Sequence, residues 1–272
     1  NISGYPKAWQ NIGSIRNSGI ELSLNASLID TKNFQWSMTA NMTHNKSKIL
    51  KLGQSGAPIY LGISCLNDQS AVILREGGSV GELYGYKAVG LYQLDEFDTS
   101  MGATGKTIYT LKSGIPSQGV GEQPGSVKLA DLDNSGKIDD NDREVIGNFL
   151  PDVYGAFSTT FNWKSFNLYL GFQYSLGNDM YNANYVMTAS YTGDGSNQIG
   201  RWMKRWTPEN QTNDPLYYSQ IPTKLVSSVH VEDASFLRFS TARLTYTLPA
   251  KLLSRAKHIE MCKFYVSADN LY

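Results

Sequence analysis

Strict alternation of apolar and polar side chains is the feature that most constrains what this chain can fold into. From Ile20 to Leu28 every even-numbered residue is apolar, while Glu21, Ser23, Asn25 and Ser27 fill the other face. The segment from Phe34 to Thr43 repeats the pattern. Runs of about ten residues suit a tilted strand that crosses a bilayer, whereas strands of soluble proteins have about five or six. The pattern therefore predicts membrane-length strands with one apolar face.

Six such strands are predicted, near residues 19–29, 34–44, 154–163, 166–176, 236–248 and 262–272. Short turns suggest two registers, in which Leu28 pairs with Phe34 and Trp163 pairs with Phe166 across Lys164-Ser165. Short connections alternate with the long segments 45–153 and 177–233. Outer-membrane barrels alternate short periplasmic turns with long extracellular loops. We therefore predict an all-β chain that is part of a large transmembrane antiparallel β-barrel, with extracellular loops at 45–153 and 177–233.

Composition agrees with this class and excludes others. The chain has 24 basic and 24 acidic residues, so no basic surface for nucleic acid is expected. The 12% aromatic residues, with 25 Gly and only 18% charged residues, favour a large β-protein. No apolar run predicts a transmembrane helix, and Asn1 begins no signal peptide, so the sequence is expected to start within a longer protein. Periodicity alone leaves one alternative, a secreted soluble β-sandwich whose apolar faces meet.

The first long loop contains the oxygen spacing of an EF-hand-type calcium site. The expected ligands are the side chains of Asp131, Asp133 and Ser135, the Lys137 carbonyl, Asp139 through water, and Asp142 at the twelfth position. Gly136 would permit the sharp turn. Since Ser135 replaces a more common acidic ligand, weak binding is expected. A turn held by its own backbone bonds, with no metal, is the alternative.

The second long loop has helical spacing at Ile199, Trp202, Met203 and Trp206, with Ser196 as a cap and Pro208 at the end. Tryptophans on such a helix pack against their own loop or, if exposed, stack on ligand sugars. Trp202 and Trp206 are therefore candidate substrate-binding residues.

No catalytic constellation is recognisable. His44, His230 and His258 are isolated in the sequence, and no serine lies in a G-x-S-x-G elbow. Cys65 and Cys262 fit neither a disulfide framework nor a metal motif, and they are not expected to pair. We predict that the protein is not an enzyme, which disfavours an extracellular hydrolase.

Five strings, in order, resemble motifs of the SusC/RagA family of TonB-dependent transporters: 16–22, 123–139, 205–210, 231–238 and 267–271. Each string is short, but their order and spacing are specific and span nearly the whole chain. The family has Asp where this chain has Ser126 and Ser135, and Gly where it has Ala234. The serine at 135 bears on the proposed calcium site.

The resemblance implies a plugged outer-membrane barrel of about 22 strands, paired with a SusD-like surface lipoprotein and powered through TonB. The segments that would form the plug and contact TonB are absent from this sequence. The expected function is import of a large nutrient, a glycan or an oligopeptide. A soluble β-sandwich that binds carbohydrate is the alternative function.

Overall fold

The computed structural model describes residues 13–63, 69–119, 121–189, 197, 199–219, 225–254 and 259–272. Strands dominate, and the described α-helices are α1 (Ala183–Ala189) and α2 (Ala250–Leu253). In chain order the strands are β1 (Gly13–Asp30), β2 (Phe34–Leu52), β3 (Ile59–Ile63), β4 (Gln69–Leu74), β5 (Glu82–Tyr86), β6 (Ala88–Leu91), β7 (Phe97–Met101), β8 (Thr107–Leu111), β9 (Val127–Leu129), β10 (Arg143–Asn148), β11 (Val153–Trp163), β12 (Phe166–Leu176), β13 (Asp179–Tyr181), β14 (Val231–Asp233), β15 (Phe236–Thr247) and β16 (Lys263–Asp269). Short 3-10 helices lie at Leu94–Glu96, Asp140–Asp142, Gly200–Lys204, Pro215–Tyr217 and Ser228–His230. The predicted all-β class is confirmed.

The chain divides into two compact units. We call Arg16–Ser47, Leu150–Asn178 and Asp233–Tyr272 the strand unit. We call Asn1–Ile15, Lys48–Phe149 and Asp179–Glu232 the loop unit, because it contains most of the two segments predicted as long loops.

The strand unit is one six-stranded sheet with the order β1-β2-β11-β12-β15-β16. The sheet pairs are antiparallel, and β11 and β12 follow the predicted register from Trp163 opposite Phe166 to Phe157 opposite Phe172. In the last hairpin Leu244 lies opposite Val266. The other described sheets lie mainly in the loop unit. The six strands are therefore one sheet and not the two facing sheets of a sandwich.

The first two strands are longer than predicted, because β1 runs from Gly13 to Asp30 and β2 from Phe34 to Leu52. Backbone pairing continues where the apolar stripe stops, so alternation marks only the part of each strand nearest the turn that joins them. Gly19 lies against Asn45, and Thr39 hydrogen-bonds to Asn25. This register differs by two residues from the predicted pairing of Leu28 with Phe34, and it leaves a shorter turn. A two-residue shift keeps every side chain on its predicted face.

Aromatic rings gather on the apolar face near the short turns. Phe161 stacks on Trp36 at 5.6 Å between ring centres, and Phe166 lies 4.8 Å from Tyr246. A second row, Phe157, Phe172 and Phe239, stacks at 4.6 and 4.7 Å between neighbouring rings. The apolar stripe of β1 is exposed, with Ile20 at 67% and Leu22 at 59%. In the described part of the chain, no helix is long and apolar enough to cross a membrane.

The loop unit contains the four-stranded sheet β10-β5-β4-β3 and the two-stranded sheets β6-β9 and β7-β8. Its main core includes Tyr86, Leu91, Val127, Trp206 and Tyr218, all buried. The two predicted loops thus bury a core of their own.

Candidate functional site

The polar face of the six-stranded sheet forms a shallow cleft. Thr39 lies opposite Ser158, which lies opposite Gly171 on the next strand. Because these side chains are small, they leave a cleft of about 230 Å³ whose walls also include Asn41, Tyr169, Gln173 and Ser240. The Ser240 hydroxyl donates a 2.9 Å hydrogen bond to the Gly171 carbonyl. Hydroxyl and amide groups on this face are suited to hydrogen-bond a polar ligand.

Two arginines that were not among the predicted site residues lie on the same face. Arg238 is opposite Gln173, and Arg243 is opposite Tyr169. Both are exposed, and neither forms a salt bridge with a described residue. The position of Arg243 on the polar face could have been predicted from its alternation with Ala242 and Leu244. The position of Arg238 could not be predicted in this way, because a bulge in β15 opposite Gly171 and Phe172 reverses the alternation.

The acidic loop of the loop unit brings three predicted metal ligands together. One carboxylate oxygen from each of Asp131, Asp133 and Asp142 lies within 4.8 Å of the others. Asp142 is fully buried, and its two oxygens accept hydrogen bonds from the amides of Leu132 and Asp139 at 2.7 and 2.8 Å. Gly136 has φ of 79°, so it makes the left-handed turn expected of it. The loop is closed around a buried carboxylate.

The other predicted ligands differ in their roles. Asp139 does not belong to the cluster of three carboxylates. Its carboxylate accepts a hydrogen bond from the Asn141 amide and caps the 3-10 helix at 140–142. The Ser135 hydroxyl donates to the Lys137 carbonyl at 3.0 Å, so these two oxygens are adjacent. Hydrogen bonding from Ser135 lowers the pKa of the exposed Asp133 carboxyl. The oxygen-only donor set fits a hard cation such as calcium, and the same bonds also fit an Asx-rich turn.

The two candidate tryptophans have different environments. Trp206 is 5% exposed, its Nε1 donates to Gln93 Oε1 at 3.1 Å, and its ring lies directly against Gly125. That ring packs the core and leaves no face for a sugar. Trp202 is half-buried beside Tyr218, within the 3-10 helix Gly200–Lys204. The expected cap Ser196 lies outside the described residues.

The burial of one histidine, His230, was not predicted. The spacing of histidines along the sequence carries no information about burial. His230 is 1% exposed, and the rings of Tyr181, Tyr185 and Tyr218 surround it at 5.6 to 6.2 Å between ring centres. Neither ring nitrogen of His230 has a hydrogen-bond partner among the described residues. Burial lowers the pKa of His230 to about 4. It is therefore a neutral residue of the core.

The remaining predicted residues carry little chemistry. His44, within β2, has its Nδ1 2.6 Å from the carbonyl oxygen of Asp152, the residue before β11. Cys262 has no disulfide partner among the described residues. Cys65 and His258 lie outside the described residues, so the absence of a Cys65–Cys262 bond stays a prediction.

Comparison with known proteins identifies the family, although no family model matches the chain. TonB-dependent receptor P3 of Formosa agariphila is 30% identical over 271 residues, which are 99% of this chain and 25% of that protein. TonB-dependent receptor SusC of Bacteroides thetaiotaomicron is 28% identical over 177 residues, 63% of this chain and 15% of that protein.

The fold has a solved counterpart in the RagAB peptide transporter. The match covers all of this chain and 27% of the chain in that structure, with a TM-score of 0.73 and 24% sequence identity. The chain spans about a quarter of the length of the curated relatives it matches over its whole length. Five ordered motifs, one sheet of membrane-length strands and these relatives agree, and the chain belongs to the SusC/RagA family of TonB-dependent receptors.

Proposed function

We propose that the receptor containing this segment imports a large nutrient, a glycan or an oligopeptide, across the outer membrane. TonB-dependent receptors are outer-membrane proteins of a transporter family, not enzymes. Energy would come through TonB by way of regions outside this sequence. A SusD-like surface lipoprotein would cover the extracellular opening.

The observation that carries this proposal is the two-faced six-stranded sheet. Its β11 and β12 strands each have 11 residues, the length needed to cross a bilayer at a tilt. One face carries the exposed Leu22 and Leu24, which suit lipid. The other carries the cleft at Ser158 and Gly171, which suits a hydrated lumen. A six-stranded sheet with open edges would need the rest of a barrel to span the membrane.

The relatives support the partner and the substrate class. The matched solved structure is of a RagAB peptide transporter, and another relative is SusC. A polar cleft with two arginines suits a ligand rich in hydrogen-bonding groups. Trp202 is the remaining candidate to stack on such a ligand in the loop unit.

The test is uptake by cells whose full-length receptor gene has been deleted and then restored. Uptake of labelled oligopeptides and oligosaccharides should return with the wild-type receptor and fail when the TonB motor is uncoupled. Ser158→Trp should block the cleft and lower uptake, whereas Leu170→Trp, on the apolar face of the neighbouring strand, should leave uptake near wild type. Equal uptake by the deletion strain and the restored strain would contradict the proposal.

We also propose that Asp131, Asp133 and Asp142 bind a calcium ion, with Ser135 and Lys137 as further ligands and Asp139 acting through water. Three carboxylates within 4.8 Å repel one another unless protons, amides or a cation compensate. Calcium would add stability to the loop through oxygen ligands. Because Ser135 reduces the charge, the expected affinity is in the weak range of extracellular modules, about 10⁻⁴ to 10⁻³ M.

A further inference from the structure

Basic side chains lie on the apolar face of the first hairpin, beyond the end of its apolar stripe. In β1 the even-numbered residues from Ile20 to Leu28 form the stripe, and Arg16 lies on the same face. In β2 the stripe from Trp36 to Met42 continues on that face to Lys46. Arg16 and Lys46 are exposed, and so is Lys48, the next residue of the same alternation in β2.

The register makes these two cations neighbours. Gly19 lies against Asn45, so Ser18 is opposite Lys46 and Arg16 is diagonal to it. Diagonal neighbours on adjacent strands are about 7–8 Å apart at Cα, within reach of long side chains. Two like charges at this separation repel unless an anion lies between them.

The described residues supply no such anion. Neither Arg16 nor Lys46 takes part in a salt bridge there. The acid of β1 nearest to Arg16 is Glu21, which points to the opposite face. Asp152, which precedes β11, has its carboxylate turned towards Gly177.

The height of the pair matches the outer edge of a membrane. Lys46 is ten residues from Trp36, and Trp36 lies in the aromatic cluster beside the short turns. Ten residues rise about 33 Å along a strand, or about 25 Å along the membrane normal at a tilt of about 40°. Arg16 is twelve residues from Leu28, which lies opposite Trp36, and by the same arithmetic it stands about 30 Å above that level. An apolar band is about 25 Å tall, so the two cations fall at the headgroups of the far leaflet.

We infer that Arg16 and Lys46 bind a phosphate group on the headgroup of an outer-leaflet lipid. An anion at this point would neutralise both cations while the acyl chains of the same lipid cover the apolar stripe beside Ile20. A phosphate offers oxygens to the planar Arg guanidinium and to the Lys ammonium together. The inference rests on the proposed crossing of the outer membrane, with the short turns at the periplasmic end.

The test uses the full-length receptor in detergent and native mass spectrometry with lipid A as the probe, in its phosphorylated and dephosphorylated forms. Phosphorylated lipid A should bind the wild type more tightly than the dephosphorylated form. A cation near an anionic surface contributes about 1 kcal/mol, so Arg16→Ser or Lys46→Ser should weaken binding about fivefold, and the double variant about 30-fold. Arg16→Lys should retain most of the affinity.

The matched control is Lys32→Ser, which removes an exposed cation from the short turn of the same hairpin. It should leave lipid binding unchanged. Equal binding of the two lipid A forms, or an equal loss in the Lys32 variant, would overturn the inference. So would full displacement by millimolar inorganic phosphate, which would show a free anion site. Since neither cation lies on the polar face, nutrient uptake by the double variant should stay near wild type, and a failure of this inference leaves the import proposal standing.

Discussion

Replacing His230 by Phe should make the loop unit more stable and less sensitive to acid. In the native protein the His230 ring is buried among three tyrosines, and neither nitrogen has a partner among the described residues. A neutral imidazole carries one N–H donor, and a buried donor without an acceptor costs about 1–3 kcal/mol. Phe has a similar shape and no polar atom. At pH 7.5 we therefore expect the variant to be about 1 kcal/mol more stable.

The pH dependence follows from the pKa of His230, which burial lowers from 6.5 to about 4. The unfolded state takes up a proton as the pH falls below about 6.5, whereas the folded state does so only near 4. Stability is therefore complete above the unfolded pKa and is lost as the pH falls through this window. Linkage gives a loss of about 2 kcal/mol between pH 7.5 and pH 5, and about 3 kcal/mol once both states are protonated. Burial raises the pKa of Tyr185, which packs against His230, above its usual value of about 10, so this tyrosine stays neutral in the window.

Hydrogen exchange followed by mass spectrometry on the full-length receptor can measure this effect. Peptides covering residues 225–233 should lose about 30-fold more protection between pH 7.5 and pH 5 in the wild type than in His230→Phe, after correction for intrinsic exchange. His44→Gln, at an exposed histidine, is the control and should behave as the wild type. The two proteins differ only at residue 230, so the contributions of all other groups cancel in the comparison. An identical loss of protection in the wild type and the Phe variant would refute the reasoning.

Three further outcomes are expected. Asp131→Ala should abolish the heat of calcium binding seen by calorimetry at millimolar calcium, and the same absence of heat in the native receptor would leave the loop as a turn. Trp206→Ala should destabilise the loop unit by about 3–5 kcal/mol in denaturant unfolding, because a buried indole and its bond to Gln93 are lost, while Trp202→Ala should cost much less. Gly125→Ala should also destabilise this unit, since Gly125 has φ of 81° and an added Cβ would lie 2.6 Å from the Trp206 ring, so wild-type unfolding would contradict that packing.

Alternation predicted the sheet because each membrane-length strand has one environment on each face. The two-residue turn at Lys164-Ser165 left one register for β11 and β12, and that register is confirmed. The turn after Asp30 was misjudged, because Thr31 closes it by bonds to Phe34, 2.7 and 3.1 Å long, that no apolar pattern reveals. The error changed the partners but not the faces, since alternation has a period of two.

The loop unit shows where this reasoning ends. Its short strands, such as β6 and β9, bury residues without a sustained period, because each strand is only three or four residues long. Its core instead comes from distant positions, as Tyr185, Trp206 and Tyr218 meet Leu91 and Val127. Local sequence cannot encode such contacts, so neither the burial of Trp206 nor the enclosure of His230 was accessible from spacing. The acidic loop was accessible, because Asp131, Asp133 and Asp142 are brought together by a turn within twelve residues. A site held by local bonds can be predicted from sequence, whereas a site assembled from distant strands requires the fold.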